Sequence, residues 1–196
     1  NDKNILISTA GSRTSTVWTR TKLTWSEFVN RLKVPHRSSE SYEHYLKLKK
    51  SQQDNLKDVG GFVGGTFKGN RRKKANVEGR DLITLDLDNI ATGTTEEVLK
   101  KIGSLQCAAL VYSTRKHSSF KPRLRVVMPT NRTVTADEYE PIARKLAEKI
   151  GITMCDPTTF DSSRLMYWAS VCSDGEYVYQ IYDNAFIDAD GLLKMY

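Results

Sequence analysis

The sequence, 196 residues long, is poor in the features that mark several large classes of protein. Its three cysteines are dispersed and form no CxxC pair, which argues against a disulfide framework and against a structural zinc site. No stretch approaches the ~20 apolar residues that span a bilayer, and no apolar run near the start resembles a signal peptide. We therefore expect a soluble, cytoplasmic protein without membrane contact.

Two motifs of phosphate and DNA chemistry are also missing. The glycine-dense segment 60–70 lacks the lysine and the hydroxyl residue that a P-loop places at fixed spacing. Its glycines are equally compatible with a strand and turn beside a nucleotide and with a plain glycine-rich hairpin. The three histidines, His36, His44 and His117, include no pair that flanks a single hydrophobic residue. That absence argues against a replication endonuclease of the histidine–tyrosine type.

Positive charge is the first feature that the sequence has in excess. The formal net charge is +7, and many of the basic residues concentrate in two segments. One contains Lys68, Arg71, Arg72, Lys73, Lys74 and Arg80, and the other contains Arg115, Lys116, Lys121, Arg123 and Arg125. Both segments flank acidic motifs, an arrangement that favours a nucleic acid or a nucleotide as ligand over an ordinary solvated basic face.

Hydrophobic periodicity and helix-start signals predict an α+β fold with a mixed or largely antiparallel central sheet flanked by helices. The predicted strands are 5–8, 81–88, 108–113, 123–128, 165–170 and 177–181. Capping boxes that begin at Thr24, Thr94 and Thr135 predict three helix starts, and a further helix is predicted over 39–50. We predict a single domain over 1–196, with an N-terminal subregion 1–55 and a core 56–196. A chain that opens on Asn1 is expected to be a fragment of a longer protein.

The sharpest motif is a pair of carboxylates in an apolar strand. Asp86 and Asp88 are two residues apart, so an extended backbone points both side chains to the same face. Leu85 and Leu87 then face a core on the other side. Two carboxylates about 6–7 Å apart repel each other unless a cation lies between them. Mg²⁺ or Mn²⁺ suits such oxygen ligands in phosphoryl transfer, whereas two solvated acids at a strand end are the plainer alternative.

Two further segments carry residues suited to phosphate. His117 follows an apolar strand in a basic loop rich in hydroxyl groups, surroundings that are poor for a core histidine and good for gripping phosphate. In segment 155–167, either Asp156 or Asp161 completes a triad with the first two acids, although Asp156 before a proline also suits a turn. The planar fork of Arg164 matches the oxygens of a triphosphate.

These three pieces, in this order, resemble the archaeo-eukaryotic primase superfamily, whose pattern is an hDhD/E strand, an sxH-type loop and an acid after a hydrophobic position. Asp86 and Asp88 match the first motif and His117 the second. Asp156 best matches the third, because Arg164 and a leucine follow it as an Arg-Leu pair does in primase–polymerases. The resemblance covers roughly residues 55–170, and the stretches 58–65, 117–129 and 156–167 look more specifically like primases of prophages and mobile elements. The second motif departs from the pattern by reading Ser-Thr-Arg-Lys-His.

The resemblance implies an RRM-like primase–polymerase catalytic core. Its implied reaction is template-directed nucleotidyl transfer in phage or mobile-element DNA replication, inside a bacterial host cell. The implied catalytic residues are Asp86, Asp88, His117 and Asp156, and the three acids would hold two Mg²⁺ or Mn²⁺ ions. The implied ligands of a ribo- or deoxynucleoside triphosphate are His117, Lys116, Arg123 and Arg164. The implied contacts to a single-stranded DNA template are Lys68, Arg71, Arg72, Lys73 and Lys74, and the implied partner is a helicase domain or subunit.

Two other functions are compatible with these residues. A metal-dependent nuclease also uses two or three carboxylates on a basic face, but it needs no arginines for a triphosphate, so nucleotide binding separates it from a polymerase. A catalytically silent DNA-binding replication module is the second alternative. It predicts that replacing Asp86 or Asp88 leaves DNA affinity unchanged or slightly raised, with no metal-dependent activity to lose.

Overall fold

The computed structural model describes residues 2–196. The strands are β1 (Asn4–Ala10), β2 (Thr19–Thr24), β3 (His36–Arg37), β4 (Gly61–Val63), β5 (Gly65–Phe67), β6 (Val77–Leu87), β7 (Ala109–Ser113), β8 (Leu124–Val134), β9 (Met166–Tyr167), β10 (Ser170–Val171) and β11 (Tyr179–Tyr182). The helices are α1 (Trp25–Arg31), α2 (Tyr42–Lys47), α3 (Lys50–Lys57), α4 (Thr95–Ser104), α5 (Ala136–Ile150) and α6 (Ala189–Leu193). Short 3-10 helices cover Lys68–Asn70, Lys74–Asn76, Ile152–Met154 and Pro157–Phe160.

Two antiparallel sheets form the centre of the molecule. The five-stranded sheet has the order β11-β7-β8-β6-β5, and the four-stranded sheet has the order β2-β1-β4-β9. Strands β3 and β10 add a small parallel pair. The predicted α+β class with a largely antiparallel sheet is therefore confirmed. Strand β1 pairs with β4, so the first 55 residues share a sheet with later parts of the chain.

The two faces of the five-stranded sheet carry separate hydrophobic clusters. On one face, Ile83, Leu85 and Leu87 of β6 pack against α4 and α5, as the sequence predicts for the two leucines. On the other face, Leu82 packs with residues of α1 and the four-stranded sheet. Because successive side chains of a strand alternate in direction, Asp86 points to the same face as Leu82. The site described below lies on that second face.

The glycine-dense segment connects the two sheets, and it is not a hairpin. Strand β4 pairs in the four-stranded sheet and β5 in the five-stranded sheet. A Cβ atom on Gly65 would lie 2.1 Å from the carbonyl oxygen of Gly79, and one on Gly61 would lie 2.5 Å from that of Met166. The glycines therefore allow strands to approach closely, and the hairpin interpretation of this segment is wrong.

Most predicted elements lie where the sequence places them, with two exceptions. The helix predicted over 39–50 is broken after α2, and α3 begins at Lys50. The buried amide of Gln53 holds this break, because its Nε2 donates to the carbonyl oxygens of Tyr45 and Leu48 at the end of α2 (3.0 and 3.2 Å). The strand predicted over 165–170 is divided between β9 and β10, which lie in different sheets. Within residues 2–196, no helix is both long and apolar enough to cross a membrane.

The capping boxes predicted at Thr24 and Thr135 are confirmed, and the one at Thr94 is wrong. Thr135 accepts a hydrogen bond from the N–H of Glu138, whose carboxylate accepts one from the N–H of Thr135 (2.9 Å). The hydroxyl of Thr94 instead donates to the carbonyl oxygen of Ala91 (2.7 Å). Helix α4 therefore begins without a side-chain cap.

The same substitution should have different costs at these two helix starts. Thr135→Ala is expected to lower the free energy of unfolding by about 1 kcal/mol, because it leaves an N–H group of the first turn without a partner. Thr94→Ala is expected to change it by about 0.5 kcal/mol or less, as at other positions outside the core that cap no helix. Urea denaturation of both variants beside the parent measures the difference, and equal losses would contradict this assignment of caps.

Candidate active site

A cavity of about 260 Å³ opens where β6 ends. Its walls come from the end of β6, the loop between β7 and β8, helix α3 and the segment 156–170. The three carboxylates that line it are Asp86, Asp88 and Asp156. The fold therefore brings together the acids that the sequence predicts as a triad.

A row of polar side chains across three strands fixes Asp86 at the base of the cavity. The sheet register places Asp86 of β6 opposite Arg125 of β8, and Arg125 opposite Tyr112 of β7. Arg125 donates to both carboxylate oxygens of Asp86, from Nε to Oδ1 (2.6 Å) and from Nη2 to Oδ2 (3.3 Å). Its Nη1 donates to the hydroxyl of Tyr112 (3.1 Å). All three residues are buried, so the bidentate pair is shielded from solvent.

Burial and ion pairing act on Asp86 in opposite directions. Burial raises the pKa of Asp86, because a charged carboxylate is poorly solvated inside a protein. The positive charges and hydrogen bonds of Arg125 and Arg164 outweigh burial and hold that pKa below its ordinary value. Burial lowers the pKa of Arg125. Asp86 and Tyr112 raise that pKa by more than burial lowers it, so the pKa of Arg125 lies above its ordinary value. The pair therefore stays ionised at neutral pH.

Asp88 and Asp156 reach the cavity from two backbone segments that lie side by side. An isolated antiparallel bridge joins Leu87 to Cys155. Next to it, the N–H of Asp156 donates to the carbonyl oxygen of Asp86 (2.9 Å). This short pairing explains how an acid far along the chain joins the two acids at the end of β6.

Asp88 has the least constrained carboxylate of the three. It is exposed, and within residues 2–196 its carboxylate forms no ion pair. Partial burial raises the pKa of Asp88, and the negative charges of Asp156 and Asp86 raise it further against the opposing charge of Arg123. The carboxylate therefore has unsatisfied capacity for a cation.

Arg164 joins the other two carboxylates. Its Nη2 lies 3.3 Å from Asp86 Oδ2 and 3.3 Å from Asp156 Oδ2. The second oxygen of Asp156 accepts hydrogen bonds from the N–H and the hydroxyl of Thr158 (3.0 and 2.8 Å). The buried Nε of Arg164 has no hydrogen-bond partner in the described part of the chain. A guanidinium group thus occupies the space between two of the three acids.

Buried polar groups anchor the segment that carries Asp156 and Arg164 to β6. The hydroxyl of Thr159 donates to the carbonyl oxygen of Thr84 (2.9 Å) and accepts from the N–H of Asp86 (2.9 Å). Arg80 is fully buried and donates from Nη1 to the carbonyl oxygen of Ser162 (2.6 Å). These bonds set the distance between the end of β6 and the segment opposite it.

The other end of the cavity is basic. Lys50 and Lys57 of α3 line it together with Lys116 and Arg123 of the loop between β7 and β8. Burial lowers the pKa of Lys116, and the positive charges of Arg123, Lys50 and Lys57 lower it further. The positive charge of Arg123 also lowers the pKa of Asp88 against burial, so Arg123 acts on the carboxylates as well as on Lys116. Such a cavity suits a ligand with several negative charges, whose anionic groups contact the basic side chains and whose bound cations contact the carboxylates.

A family model that covers the whole chain, residues 1–196, matches this sequence, and it describes the VapE N-terminal domain. The chain belongs to the VapE N-terminal domain family. This VapE N-terminal domain is similar in structure to the AEP domain of the primase–polymerase of cyanophage S-2L. The TM-score is 0.52 and the identity 12%, over 97% of this chain and 87% of that chain.

A second solved structure is the catalytic domain of the primase Repb′ in complex with initiator DNA. It matches with a TM-score of 0.46 and 12% identity, over 99% of this chain and 85% of that chain. Curated protein sequences give no match. The likeness to the first structure confirms the predicted fold.

In this VapE N-terminal domain, His117 is a buried residue of the loop between β7 and β8 and does not line the cavity. Its exposed fraction is 4%, so the expectation that its surroundings are poor for a buried histidine is wrong. The reason is a local hydrogen bond, in which Nδ1 accepts from the N–H of Arg123 (3.0 Å). Burial lowers the pKa of His117, with Glu176 acting in the opposite direction, which favours a neutral ring at pH 7. His117 therefore supports the loop that presents Lys116 and Arg123.

The alternative third acid, Asp161, does not line the cavity. Its Oδ1 accepts from the N–H and the hydroxyl of Ser163 (2.8 and 2.7 Å), which closes a turn. None of the five residues predicted to contact template lines the cavity either; they are Lys68, Arg71, Arg72, Lys73 and Lys74. Arg72 donates to the carbonyl oxygen of Ser163 (3.2 Å), so this basic segment borders the turn that precedes Arg164.

Sequence reasoning misses three residues of the site. It identifies Arg125 only as a member of a basic cluster, although a lone charge in an apolar strand is a signal of a buried partner. It assigns no role to Lys50 or Lys57, because exposed lysines on a polar helix are common. Their contribution depends on where α3 packs, which no local pattern reveals.

The carboxylates suit a divalent cation in chemical type, while their present arrangement holds a guanidinium. Within residues 2–196, no group of three or more His, Cys, Asp or Glu side chains is arranged to hold a metal ion. Asp86 is engaged by Arg125, and Arg164 lies between Asp86 and Asp156. Both bonds to Asp86 Oδ2 are long, at 3.3 Å, and Asp88 is free of ion pairs within the described residues. The oxygen donors therefore fit Mg²⁺ or Mn²⁺ if Arg164 is displaced.

Proposed function

We propose that this domain catalyses template-directed nucleotidyl transfer in phage or mobile-element DNA replication, as a DNA primase or polymerase. The observation that carries the proposal is a single cavity in which three carboxylates face lysines and arginines. Nucleotidyl transfer needs cations near the reacting phosphate and positive charge around the rest of the triphosphate. The fold of the primase–polymerase type is consistent with this chemistry.

In the proposed site, Asp86, Asp88 and Asp156 would hold two Mg²⁺ or Mn²⁺ ions. Such ions, when bound, activate a 3′-hydroxyl and neutralise charge on a departing pyrophosphate. Arg164 exchanges its carboxylate partners for oxygens of the triphosphate, which its planar fork matches. Arg125 keeps Asp86 ionised and fixes the orientation of its carboxylate through the bidentate hydrogen bonds.

The basic residues divide between two roles in this proposal. Lys116, Arg123 and Arg164 contact the phosphates of a ribo- or deoxynucleoside triphosphate, and His117 acts on the reaction by holding Arg123 in place. The segment Lys68, Arg71, Arg72, Lys73 and Lys74 follows the backbone of a single-stranded DNA template beside the turn at Ser163. A helicase domain or subunit is the proposed partner in replication.

The test uses the purified chain, a primed single-stranded template, labelled ribo- or deoxynucleotides, and Mg²⁺ or Mn²⁺. We expect extension of the primer by nucleotides complementary to the template, and loss of extension when a chelator removes the metal. Restoring the metal should restore extension, which excludes irreversible damage. Metal-dependent shortening of the primer in place of extension would support a nuclease and overturn the proposal.

One observation favours a second candidate, a binding module without catalysis. Two of the three acids are ion-paired to Arg164, and the described residues contain no ready metal site. A module of this kind binds DNA or nucleotide but gives neither extension nor shortening under any metal condition. The same assay therefore separates it from the enzyme, with DNA affinity measured in parallel.

A further inference from the structure

Helix α3 carries a charged stripe along the side that meets the cavity. Lys50, Asp54 and Lys57 lie four and three residues apart, a spacing that places their side chains on one face of a helix. One oxygen of Asp54, Oδ1, lies 3.8 Å from the Nζ of Lys50 and 3.2 Å from the Nζ of Lys57. A single anionic oxygen thus faces two ammonium groups, as an oxygen of a phosphate group would.

The side chains of Lys57 and Lys50 differ in how far they are buried. The side chain of Lys57 is 31% exposed and that of Lys50 is 82% exposed, so Lys57 is the inner and Lys50 the outer member of the pair. The Nζ of Lys57 also lies 5.6 Å from the centre of the Tyr167 ring, on the wall formed by β9. The side chain of Lys57 therefore lies between α3 and the wall formed by β9, whereas that of Lys50 lies at the rim of the cavity.

Helix α3 is held in this position by polar bonds rather than by a large apolar face. The buried Gln53 binds carbonyl oxygens at the end of α2, and the hydroxyl of Tyr45 donates to the carbonyl oxygen of Gln53 (3.0 Å). The hydroxyl of Tyr42 in α2 donates to the carbonyl oxygen of Lys116 (2.9 Å), which ties the helix pair to the loop between β7 and β8. The stripe of α3 and the loop cations thus face one another across a fixed gap.

The lysines of α3 line the same cavity as the three carboxylates but belong to a different wall. Lys50 and Lys57 form ion pairs with Asp54 of their own helix, whereas Asp86 and Asp156 form ion pairs with Arg164. The bond from Tyr42 to Lys116 ties the same helix pair to the loop cations, so α3 and this loop together form the basic part of the cavity. In a triphosphate whose reacting phosphate meets the carboxylates, the terminal phosphate is the group that extends to α3. The cavity, at about 260 Å³, is close to the ~300 Å³ of the smallest typical small-molecule sites and suits a compact ligand.

We propose that α3 recognises the terminal phosphate of a nucleoside triphosphate, with Lys57 and Lys50 as its ligands and Asp54 as the internal anion that the phosphate displaces. The proposal rests on the proposed function for the location of the reacting phosphate. It adds that this VapE N-terminal domain selects triphosphates over monophosphates through a helix outside the motifs that carry the superfamily resemblance. Asp54 keeps the two lysines in position when no nucleotide is present.

The test measures the affinity of the full chain for ATP, ADP and AMP in Mg²⁺ by titration calorimetry. Lys57→Gln is expected to weaken ATP binding about 10- to 100-fold, the effect of losing a charge-assisted hydrogen bond, and to leave AMP binding unchanged. Lys50→Gln should weaken ATP binding less, by about 2- to 5-fold, as for an exposed ion pair. The control is Lys47→Gln on α2, an exposed lysine outside the cavity that pairs with Glu43, and it should bind ATP as the parent does.

Asp54→Asn is expected to raise ATP affinity, and a misfolded variant would lower it instead. Removing the internal anion frees both lysines, so ATP affinity should rise by about 2- to 5-fold, the scale of an exposed ion pair. A fall in ATP affinity in this variant, or equal losses for ATP and AMP in Lys57→Gln, would overturn the proposal. So would a loss of single-stranded DNA affinity with ATP affinity unchanged, since the lysines would then bind the DNA backbone.

The primer-extension assay separates this proposal from the proposed function. If the chain extends no primer but loses its preference for ATP over AMP in Lys57→Gln, the phosphate site stands and the polymerase proposal fails. If the chain extends primers and Lys57→Gln leaves the KM for nucleotide unchanged, the polymerase stands and the α3 site is wrong. A parent chain that binds no ATP overturns the α3 site directly.

Discussion

Arg125→Met is expected to lower the free energy of unfolding by about 3–5 kcal/mol, the cost of removing one partner of a buried ion pair. Arg125 makes both hydrogen bonds of a bidentate pair with Asp86, and both residues are buried. Methionine has a similar length but cannot pair with the carboxylate. Urea denaturation of the variant and the parent measures the loss.

Two further variants test the cause of that loss. Arg20→Met removes an ion pair with Glu78 whose members are each about half exposed, and it should cost no more than about 1 kcal/mol. The double variant Arg125→Met with Asp86→Leu replaces the whole pair by apolar groups and should recover most of the stability. A double variant as unstable as Arg125→Met alone would show that the loss comes from packing against Tyr112 instead.

The pH dependence follows from the direction of the Asp86 shift. The pKa of Asp86 is lowered in the folded protein, chiefly by Arg125 acting against burial. The stability from the pair is therefore fully present above the unfolded pKa of about 3.9 and is lost as the pH falls through the lower folded value. Without Arg125, only the longer contact with Arg164 opposes burial, so the pKa of Asp86 should be higher than in the parent and protonation at low pH should reduce the loss of stability. The difference between parent and variant should shrink from about pH 7 to about pH 4.

The sequence predicts those parts of the fold that depend on local patterns. Alternating apolar residues predict β6, β7 and β8, and they place Asp86 on the face opposite Leu85. The reciprocal bonds of Thr135 and Glu138 make the start of α5 predictable, because the partners are three residues apart. Thr94 shows the limit of that signal, since its hydroxyl bonds to Ala91 and the same spacing gives no cap.

The rest of the site depends on contacts between distant segments. The pairing of Asp86 with Arg125 spans 39 residues and requires the register between β6 and β8, which hydrophobic alternation does not specify. The place of Lys57 depends on the break between α2 and α3, which the buried Gln53 holds. The sequence predicts a phosphate-binding role for His117 in a polar loop, but the ring is buried and its Nδ1 accepts a hydrogen bond from the N–H of Arg123, a local contact that no pattern reveals.

Asp88→Asn is expected to slow metal-dependent primer extension by about 100- to 1000-fold, the scale seen when one group that stabilises the transition state is removed. The amide keeps the size of the side chain and removes the charge that we propose holds a metal ion. Because Asp88 is exposed and forms no ion pair in residues 2–196, the stability of the Asp88→Asn variant should equal that of the parent. The measurement is the extension rate at saturating nucleotide, with the thermal unfolding temperature recorded in parallel.

Asp88→Asn should therefore lower the extension rate without lowering stability, whereas replacing Asp86 should lower both the extension rate and the stability. The matched control is Asp183→Asn, an exposed aspartate outside the cavity, which should keep the parent's rate and unfolding temperature. If Asp88→Asn extends primers at the parent's rate, Asp88 holds no catalytic metal, and the binding module without catalysis becomes the better account of this cavity.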